Sequence, residues 1–312
     1  MIEEVVESIF RVKVPLPRNP LRHVNSYFLA DKKRWLVIDT GMNLDECYKA
    51  LISAIRKFKL RNPLYIATHN HADHIGVSGR LSDSLLMSSI DAGIVESITE
   101  DRWVEVARFY VKNGFPKEMA ELMLRLHPAR NIFVKEIERL EDGDEIEFGE
   151  FSLRCILTPG HTPGHLCLYD DERKILFSGD HILFDITPNI AWWPFMNALD
   201  GYLRSLDKIY SLKVKTVLPG HRGFSGELRN RIDELKDHHK RRLEEALAAL
   251  DSPKTAWEVA PSISWDLEFS NWDGIPLLQK WFIVGETIAH LEYLFGKGRV
   301  DRLEKDGRIY YI

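Results

Sequence analysis

Cysteine is scarce, with only Cys47, Cys155 and Cys167 among 312 residues. An odd number without zinc-finger spacing excludes a disulfide framework and a structural Cys-zinc module. Cys155 and Cys167 lie in apolar, strand-like stretches where a reduced, packed thiol is expected. Also lacking is any uninterrupted apolar run long enough to span a bilayer, and the N-terminal M-I-E-E-V-V-E-S has neither a basic n-region nor an apolar h-region. These absences predict a cytoplasmic chain without a membrane partner. Positive charge is not in excess either: the net charge of -5 offers no global attraction to nucleic acid or anionic lipid. Neither a Ser-His-Asp nor a nucleophilic-Cys motif is present, and Ser178-Gly-Asp lacks the G-x-S-x-G elbow, so covalent acyl-enzyme chemistry has no support. What is left, 45% hydrophobic and 29% charged, is the composition of a soluble globular protein, long enough for one large sandwich and a smaller domain.

Histidine and aspartate, by contrast, are concentrated. His69, His71, Asp73 and His74 fall within six residues in T-H-N-H-A-D-H-I-G. Imidazole and carboxylate together suit zinc, iron and manganese, so the run reads as a metal site. It follows Pro63-Leu-Tyr-Ile-Ala-Thr68, a short apolar segment that reads as a buried strand, which places the donors on the loop where that strand ends. The arrangement recurs three times: Cys155-Ile-Leu-Thr-Pro-Gly precedes His161, Ile175-Leu-Phe-Ser-Gly precedes Asp180, and Thr216-Val-Leu-Pro-Gly precedes His221. Each is an apolar strand running into a glycine turn. Four strand ends carrying seven donors are hard to explain as satisfied core residues.

In these motifs, T-H-N-H-A-D-H-I-G, P-G-H-T-P-G-H, S-G-D-H and L-P-G-H, with V-I-D-T-G at 37–41 as lead-in, the chain resembles the metallo-β-lactamase superfamily, and within it the glyoxalase II-like branch, over roughly residues 5 to 225. The resemblance implies an αββα sandwich of the α/β class with metals at one edge. It assigns His69, His71 and His161 to one ion, Asp73, His74 and His221 to a second, and Asp180 to a bridge between them. Asp73 and Asp180 are the implied catalytic carboxylates, and two zinc ions the implied cofactors, with iron and manganese as alternatives. Asp180 stands where the penicillin-degrading branch has cysteine, which argues against β-lactam hydrolysis. His71 stands where the diiron flavoproteins have glutamate, and no flavin domain follows. Two cations close together lower the pKa of a water between them and polarise a carbonyl or phosphoryl oxygen, so the implied reaction class is hydrolysis.

Three neighbours carry two readings each. His165 and His181 either orient ligands or contact substrate, or they pack; Asp39 either accepts a hydrogen bond from a ligand imidazole or satisfies its own turn. Residues 5–14 and 24–38 read as strands and 43–59 as an amphipathic helix. A mostly helical insertion is expected over about 85–135, with caps and breaks at Thr99, Gly114-Phe-Pro116 and His127-Pro128. Its Trp103, Phe109, Tyr110, Phe115, Met119 and Met123 either roof a substrate site or form a helix core or dimer surface. The loop Ala191-Trp-Trp-Pro-Phe-Met196 offers Trp192 and Trp193 as substrate contacts.

The composition shifts after His221, which predicts a sandwich domain over 1–226 and a second domain over 227–312. The second reads as a charged helix from Glu227 to Leu250, then helices at 254–260 and 277–295, then a hairpin turning at Lys305-Asp-Gly-Arg308. It resembles the winged-helix-like tail of the β-lactamase-like protein family that includes a mitochondrial endoribonuclease. The H-H-K-R-R run at 238–242 either meets an anionic substrate or is a solvated face. The segment in the recognition-helix position, Gly285 to Phe295, holds two acids and no Lys or Arg, a poor match to phosphates that favours packing or dimerisation. The leading expectation is therefore hydrolysis of a thioester, ester or lactone of a small molecule. The alternative is a metal-dependent endoribonuclease or phosphodiesterase; a mononuclear iron sulfur dioxygenase would leave Asp73, His74 and His221 idle.

Overall fold

The computed structural model describes residues 2–17, 19–31, 34–97, 100–126, 132–223, 226–266 and 271–312. Thr99, His127 and Pro128, expected as helix caps or breaks, lie outside the described residues.

Alternating side chains make the first sheet. The stretch expected as one strand over 5–14 belongs to two, β1 (Ile2–Val6) and β2 (Ile9–Pro15), because Ser8 turns the chain with φ 64. The stretch at 24–38 likewise forms the antiparallel pair β3 (His23–Asp31) and β4 (Arg34–Ile38). The polar pair Glu7-Ser8 and the charged run Asp31-Lys-Lys-Arg34 interrupt the apolar pattern at these two places, and they are the breaks that reading each stretch as continuous passed over. Next come α1 (Asp45–Phe58), β5 (Leu64–Ile66), the short helices α2 (Ala72–Ile75) and α3 (Ser78–Leu81), β6 (Ser84–Ser88), α4 (Ser89–Glu96), α5 (Glu100–Lys112), α6 (Lys117–Leu126) and β7 (Glu136–Leu140). The insertion expected from about 85 thus begins with a strand: Leu85, Leu86 and Met87 are all buried, one side on the sandwich interior and the other beneath helices. The first sheet has seven strands in chain order, antiparallel from β1 to β4 and parallel from β4 to β7.

The second sheet holds β8 (Glu145–Phe148), β9 (Phe151–Leu157), β10 (Leu166–Asp170), β11 (Ile175–Gly179) and β12 (Thr216–Pro219), in the order β12-β11-β10-β9-β8. The crossover between β11 and β12 includes α7 (Ala198–Tyr210), which lets those two strands run parallel. Period 2 divides the side chains between two cores. Tyr27, Leu29, Leu36 and Ile38 meet Leu153, Cys155, Leu168 and Phe177 between the sheets, while Phe28 and Val37 pack with Cys47, Leu51 and Ala54 of α1 on the outer face. This is an αββα sandwich of two mixed sheets, as expected.

Strand direction positions the site. β4, β5 and β6 are mutually parallel, and β9, β11 and β12 share one direction because β10 lies antiparallel to both β9 and β11. Their C-terminal ends therefore collect on one edge of each sheet, and every donor in the motifs follows such an end.

The C-terminal elements are α8 (Leu228–Ala248), α9 (Ala256–Val259), α10 (Leu277–Gly296), β13 (Arg302–Lys305) and β14 (Arg308–Tyr311). Thr255 and Glu258 form a capping box on α9, and Asp306 and Gly307 both take positive φ in the hairpin turn. By contacts the chain divides into two compact units: Met1–Glu96, Pro128–Pro188 and Ser205–Arg231 form one, and Ser97–His127, Asn189–Arg204 and Ile232–Ile312 the other. Thus α5, α6 and the tryptophan-bearing loop group with the C-terminal residues. The physical reason is a shared core: Tyr110, Phe115 and Met123 are buried with Trp281, Ile283 and Val284 of α10, and Phe109 and Met119 pack against them. The helix in the recognition-helix position, expected to pack or dimerise rather than to meet phosphates, lies at the centre of this unit's core, buried continuously from Ile283 to Leu291. No helix among the described residues is long and apolar enough to cross a membrane.

Candidate metal centre

The seven donors expected to converge do so. His69, His71 and His161 place their ligating atoms within 4.8 Å of one another, and so do Asp73, His74 and His221. A third grouping, His69, His74 and Asp180, joins the two. Asp180 lies between the triads: its Oδ2 is 3.6 Å from His161 Nε2 and 3.4 Å from His221 Nε2, while its Oδ1 is 3.5 Å from His74 Nε2. His221 Nε2 is also 3.3 Å from Asp73 Oδ2 and 3.3 Å from His74 Nε2. Donors about 2.0–2.1 Å from a tetrahedral ion sit roughly 3.3 Å apart, so these spacings fit a metal held among them.

The neighbours of each imidazole fix which nitrogen faces inward. His74 Nδ1–H donates to Asp39 Oδ2 at 2.8 Å, and His221 Nδ1–H donates to the His23 carbonyl at 2.9 Å. Asp39 also accepts from the Thr68 amide at 2.8 Å and from the Thr68 hydroxyl, leaving that oxygen to accept from His69 Nδ1–H at 3.0 Å. In all three rings the Nε2 lone pair is left for the cluster. His69 Nε2 is buried with no hydrogen-bond partner among the described residues, the condition of a nitrogen reserved for a cation. Asp39 therefore acts on the site rather than only on its own turn, and it does so from φ 60, a strained setting for a non-glycine residue.

Electrostatics separates the two sides. Burial, reinforced by His74, His71 and His161, pushes the His69 imidazole well below its ordinary range, and burial with His161 takes His71 down to about 3. Both are neutral imidazoles ready to ligate. On the other side burial opposes charge, but Asp180 and Asp73 prevail and lift His221 to about 10, and Asp39 and Asp180 lift His74. Burial likewise works to raise Asp73 and Asp180, yet His221 and His74 hold both carboxyls below the usual range. Without metal, protons on His74 and His221 neutralise the buried carboxylates; a cation occupying that place would displace them.

The two further histidines resolve differently. His165 is fully buried, its Nδ1–H donates to Thr158 Oγ1 at 2.8 Å, and its Nε2 accepts the Asp180 amide at 3.1 Å, so it holds the loop that carries Asp180. Gly179 makes that approach possible, since a Cβ there would fall 2.6 Å from His165 Nε2, and its φ is 47. His181 is buried, and burial depresses it to about 3 against a hydrogen bond to the Ser205 backbone. It is directed at α7. Trp192 has a packing role within its own unit: its ring stacks on Phe109 at 3.8 Å and 11°, and its amide donates to the Gly285 carbonyl at 3.0 Å. Trp193 stands tilted to Phe195 at 6.4 Å.

Motif reading missed Asp91. It is fully buried at the start of α4, and its carboxylate accepts from the Asn70 amide, the Thr162 hydroxyl and the Gly164 amide. An aspartate in S-S-I-D-A has no motif spacing and reads as ordinary helix-start chemistry, so only the fold reveals it. A fourth donor group, His238, His239 and Glu286, also lies within 4.8 Å. There the Glu286 carboxylate is already matched by Arg242 and by Asn189 Nδ2 at 2.7 Å, which makes it a neutralised polar network rather than a cation site.

Comparison with known families decides the identity. The profile of the metallo-beta-lactamase superfamily matches residues 19–221, and that of the metallo-beta-lactamase-like C-terminal domain matches residues 243–312. The chain belongs to the metallo-β-lactamase superfamily. It is similar to the Beta-lactamase-like protein 2 homolog of Caenorhabditis elegans, 26% identical over 80% of this chain and 73% of the relative. It also resembles the Acyl-coenzyme A thioesterase MBLAC2 of Homo sapiens, 29% identical over 63% of this chain and 72% of the relative. A crystal structure of a metallo-beta-lactamase family protein from Thermus thermophilus superposes with TM-score 0.82 at 30% identity, covering 99% of both chains. A beta-lactamase domain protein from Burkholderia ambifaria gives 0.86 at 26% identity, over 99% of this chain and 93% of the other. Membership makes this protein a metal-dependent hydrolase, and its His/Asp clusters are suited to a dinuclear centre.

Proposed function

We propose that this superfamily member is a dinuclear zinc hydrolase of acyl thioesters, with esters and lactones as secondary substrates of the same chemistry. The observation that carries the proposal is Asp180 set between two triads of donors, with carboxylate oxygens 3.4–3.6 Å from nitrogens on both sides. His69, His71 and His161 would hold one ion, Asp73, His74 and His221 the other, and Asp180 both. When bound, the pair would supply a deprotonated water at neutral pH and stabilise negative charge developing on the carbonyl oxygen.

The residues around the donors favour a thioester. His69, His74 and His221 direct their N–H groups away from the cluster, and His165 has both ring nitrogens engaged. None of the four presents a proton to a leaving group. A thiolate, whose conjugate acid has a pKa of about 8.5, departs without one, whereas an alkoxide needs protonation. Asp73 and Asp180 are the proposed catalytic carboxylates, Asp73 the more exposed at 18% against 9%. Similarity to a protein named an acyl-coenzyme A thioesterase supports the same substrate class.

Metal-loaded protein should be assayed against an acyl-coenzyme A, a neutral ester and single-stranded RNA at low and high salt. Thioester turnover that is lost with EDTA and with His69→Ala is expected. A nuclease must neutralise several phosphates, so steeply salt-dependent, EDTA-sensitive RNA cleavage without acyl turnover would replace the proposal. Charge reversal in the basic run belongs at Lys240 and Arg241, since Arg242 is buried against Glu286.

A further inference from the structure

We infer that Asp91 is the positioning residue for the His69, His71 and His161 triad, fixing both loops that carry it and leaving the Asp73, His74 and His221 side to Asp39. The inference rests on the metal reading above and deepens it.

The carboxylate touches no donor residue itself. Oδ2 accepts from the Asn70 amide at 2.9 Å, between His69 and His71, and from Thr162 Oγ1 at 2.8 Å, beside His161. Oδ1 accepts from the Gly164 amide at 2.7 Å, farther along the His161 loop. One anion therefore ties the end of β5 to the end of β9, strands that belong to different sheets. All three recorded donors are uncharged, and the group is 0% exposed. A buried carboxylate is costly without several hydrogen bonds, and such charge-assisted bonds are roughly twice as strong as neutral ones, so moving either loop off Asp91 exposes an unsatisfied charge.

Gly164 is shaped to this contact. A Cβ there would lie 2.6 Å from Asp91 Oδ1, 2.5 Å from the Asp91 amide nitrogen and 2.3 Å from Ser88 Oγ. The Asp91 amide donates to that same Ser88 oxygen at 3.1 Å, which anchors the carboxylate at the first turn of α4. Asp39 works on the opposite side, touching His74 directly and His69 only through Thr68. Asp91 thus holds only the loops of the His69, His71 and His161 triad, whereas Asp39 backs His74 directly and reaches across to His69 through Thr68.

The chemistry dictates the probe. In Asp91→Asn one oxygen becomes an NH2, which must face an N–H or a hydroxyl it cannot accept from, while size is kept. Thr162→Val removes a single donor and guards against a folding failure of the first variant. Metal-free protein is titrated with cobalt(II) or zinc against a chromophoric chelator, resolving two binding events, alongside His71→Ala as a triad control and Asp39→Asn as its counterpart. Asp91→Asn should weaken one event about 10- to 100-fold, the usual effect of groups behind metal ligands, and leave the other within a factor of about 3. Thr162→Val should weaken the same event by less. If His71→Ala removes one event while folded Asp91→Asn and Thr162→Val leave both intact, or weaken both equally, the role of Asp91 is refuted with the metal reading standing. If His71→Ala removes neither event, the triad itself is refuted and this inference with it.

Discussion

At the residue scale, the site is a matter of which atom each neighbour leaves free. Asp39 lies outside the donor set, yet it sets the tautomer of His74 and, through Thr68, that of His69. Asp39→Asn should therefore lower metal affinity about 10- to 100-fold, chiefly at the event that His74→Ala abolishes, in the same chelator competition. Affinity unchanged in the folded variant would mean that the His74 ring is held by packing alone. The seven donors and Asp39 were legible in the sequence because they stand at fixed places in strand-end motifs. His165 was legible as a candidate but not as a role, since only the fold brings its Nε2 to the Asp180 amide. Asp91 was not legible, because its partners Asn70, Thr162 and Gly164 are brought to it by two different sheets.

At the scale of elements, buried polar groups decide more than composition suggests. The basic run of α8 looked like a solvated face or an anion site, but Ile232, Leu235, His239, Arg242 and Ala246 form its buried stripe. Their 3-4-3-4 spacing is the helical period, a signal in the sequence that turns His239 and Arg242 inward. His239 Nδ1–H donates to His290 Nε2 at 3.1 Å, and His290 Nδ1–H donates to the Glu286 carbonyl at 2.8 Å. Burial, with repulsion among His238, His239, His290 and Arg242, keeps His239 well below its ordinary range, and burial takes His290 to about 3 against the Glu286 carbonyl. A depressed folded pKa means that the unfolded chain binds the proton first. Stability from these two groups is complete above about pH 6.5 and is lost as pH falls below it, by up to about 1.4 kcal/mol per pH unit for each. Hydrogen exchange of α10 amides, corrected for intrinsic rates, should show lower opening free energy at pH 5 than at pH 7, and His290→Gln should flatten the response. Equal protection at both pH values would show that neither imidazole is held neutral.

At the scale of the whole molecule, the sandwich was legible because metal motifs, apolar strands and glycine turns recur in one order along the chain. The division into units was not. Aromatic residues of α5 and α6 carry no signal that distinguishes a roof over a site from the core they form with α10. Length and composition suggest two domains, but contacts between distant segments decide which pieces join, and a linear boundary cannot express that. The dinuclear hydrolase reading is most directly tested by titrating zinc into metal-free protein while following hydrolysis of an acyl-coenzyme A. Turnover should remain low at one equivalent, rise to a plateau at two, and stay near background throughout for Asp180→Ala. Full activity at one equivalent, or activity in Asp180→Ala equal to that of the unaltered chain, would contradict a centre in which Asp180 joins two ions.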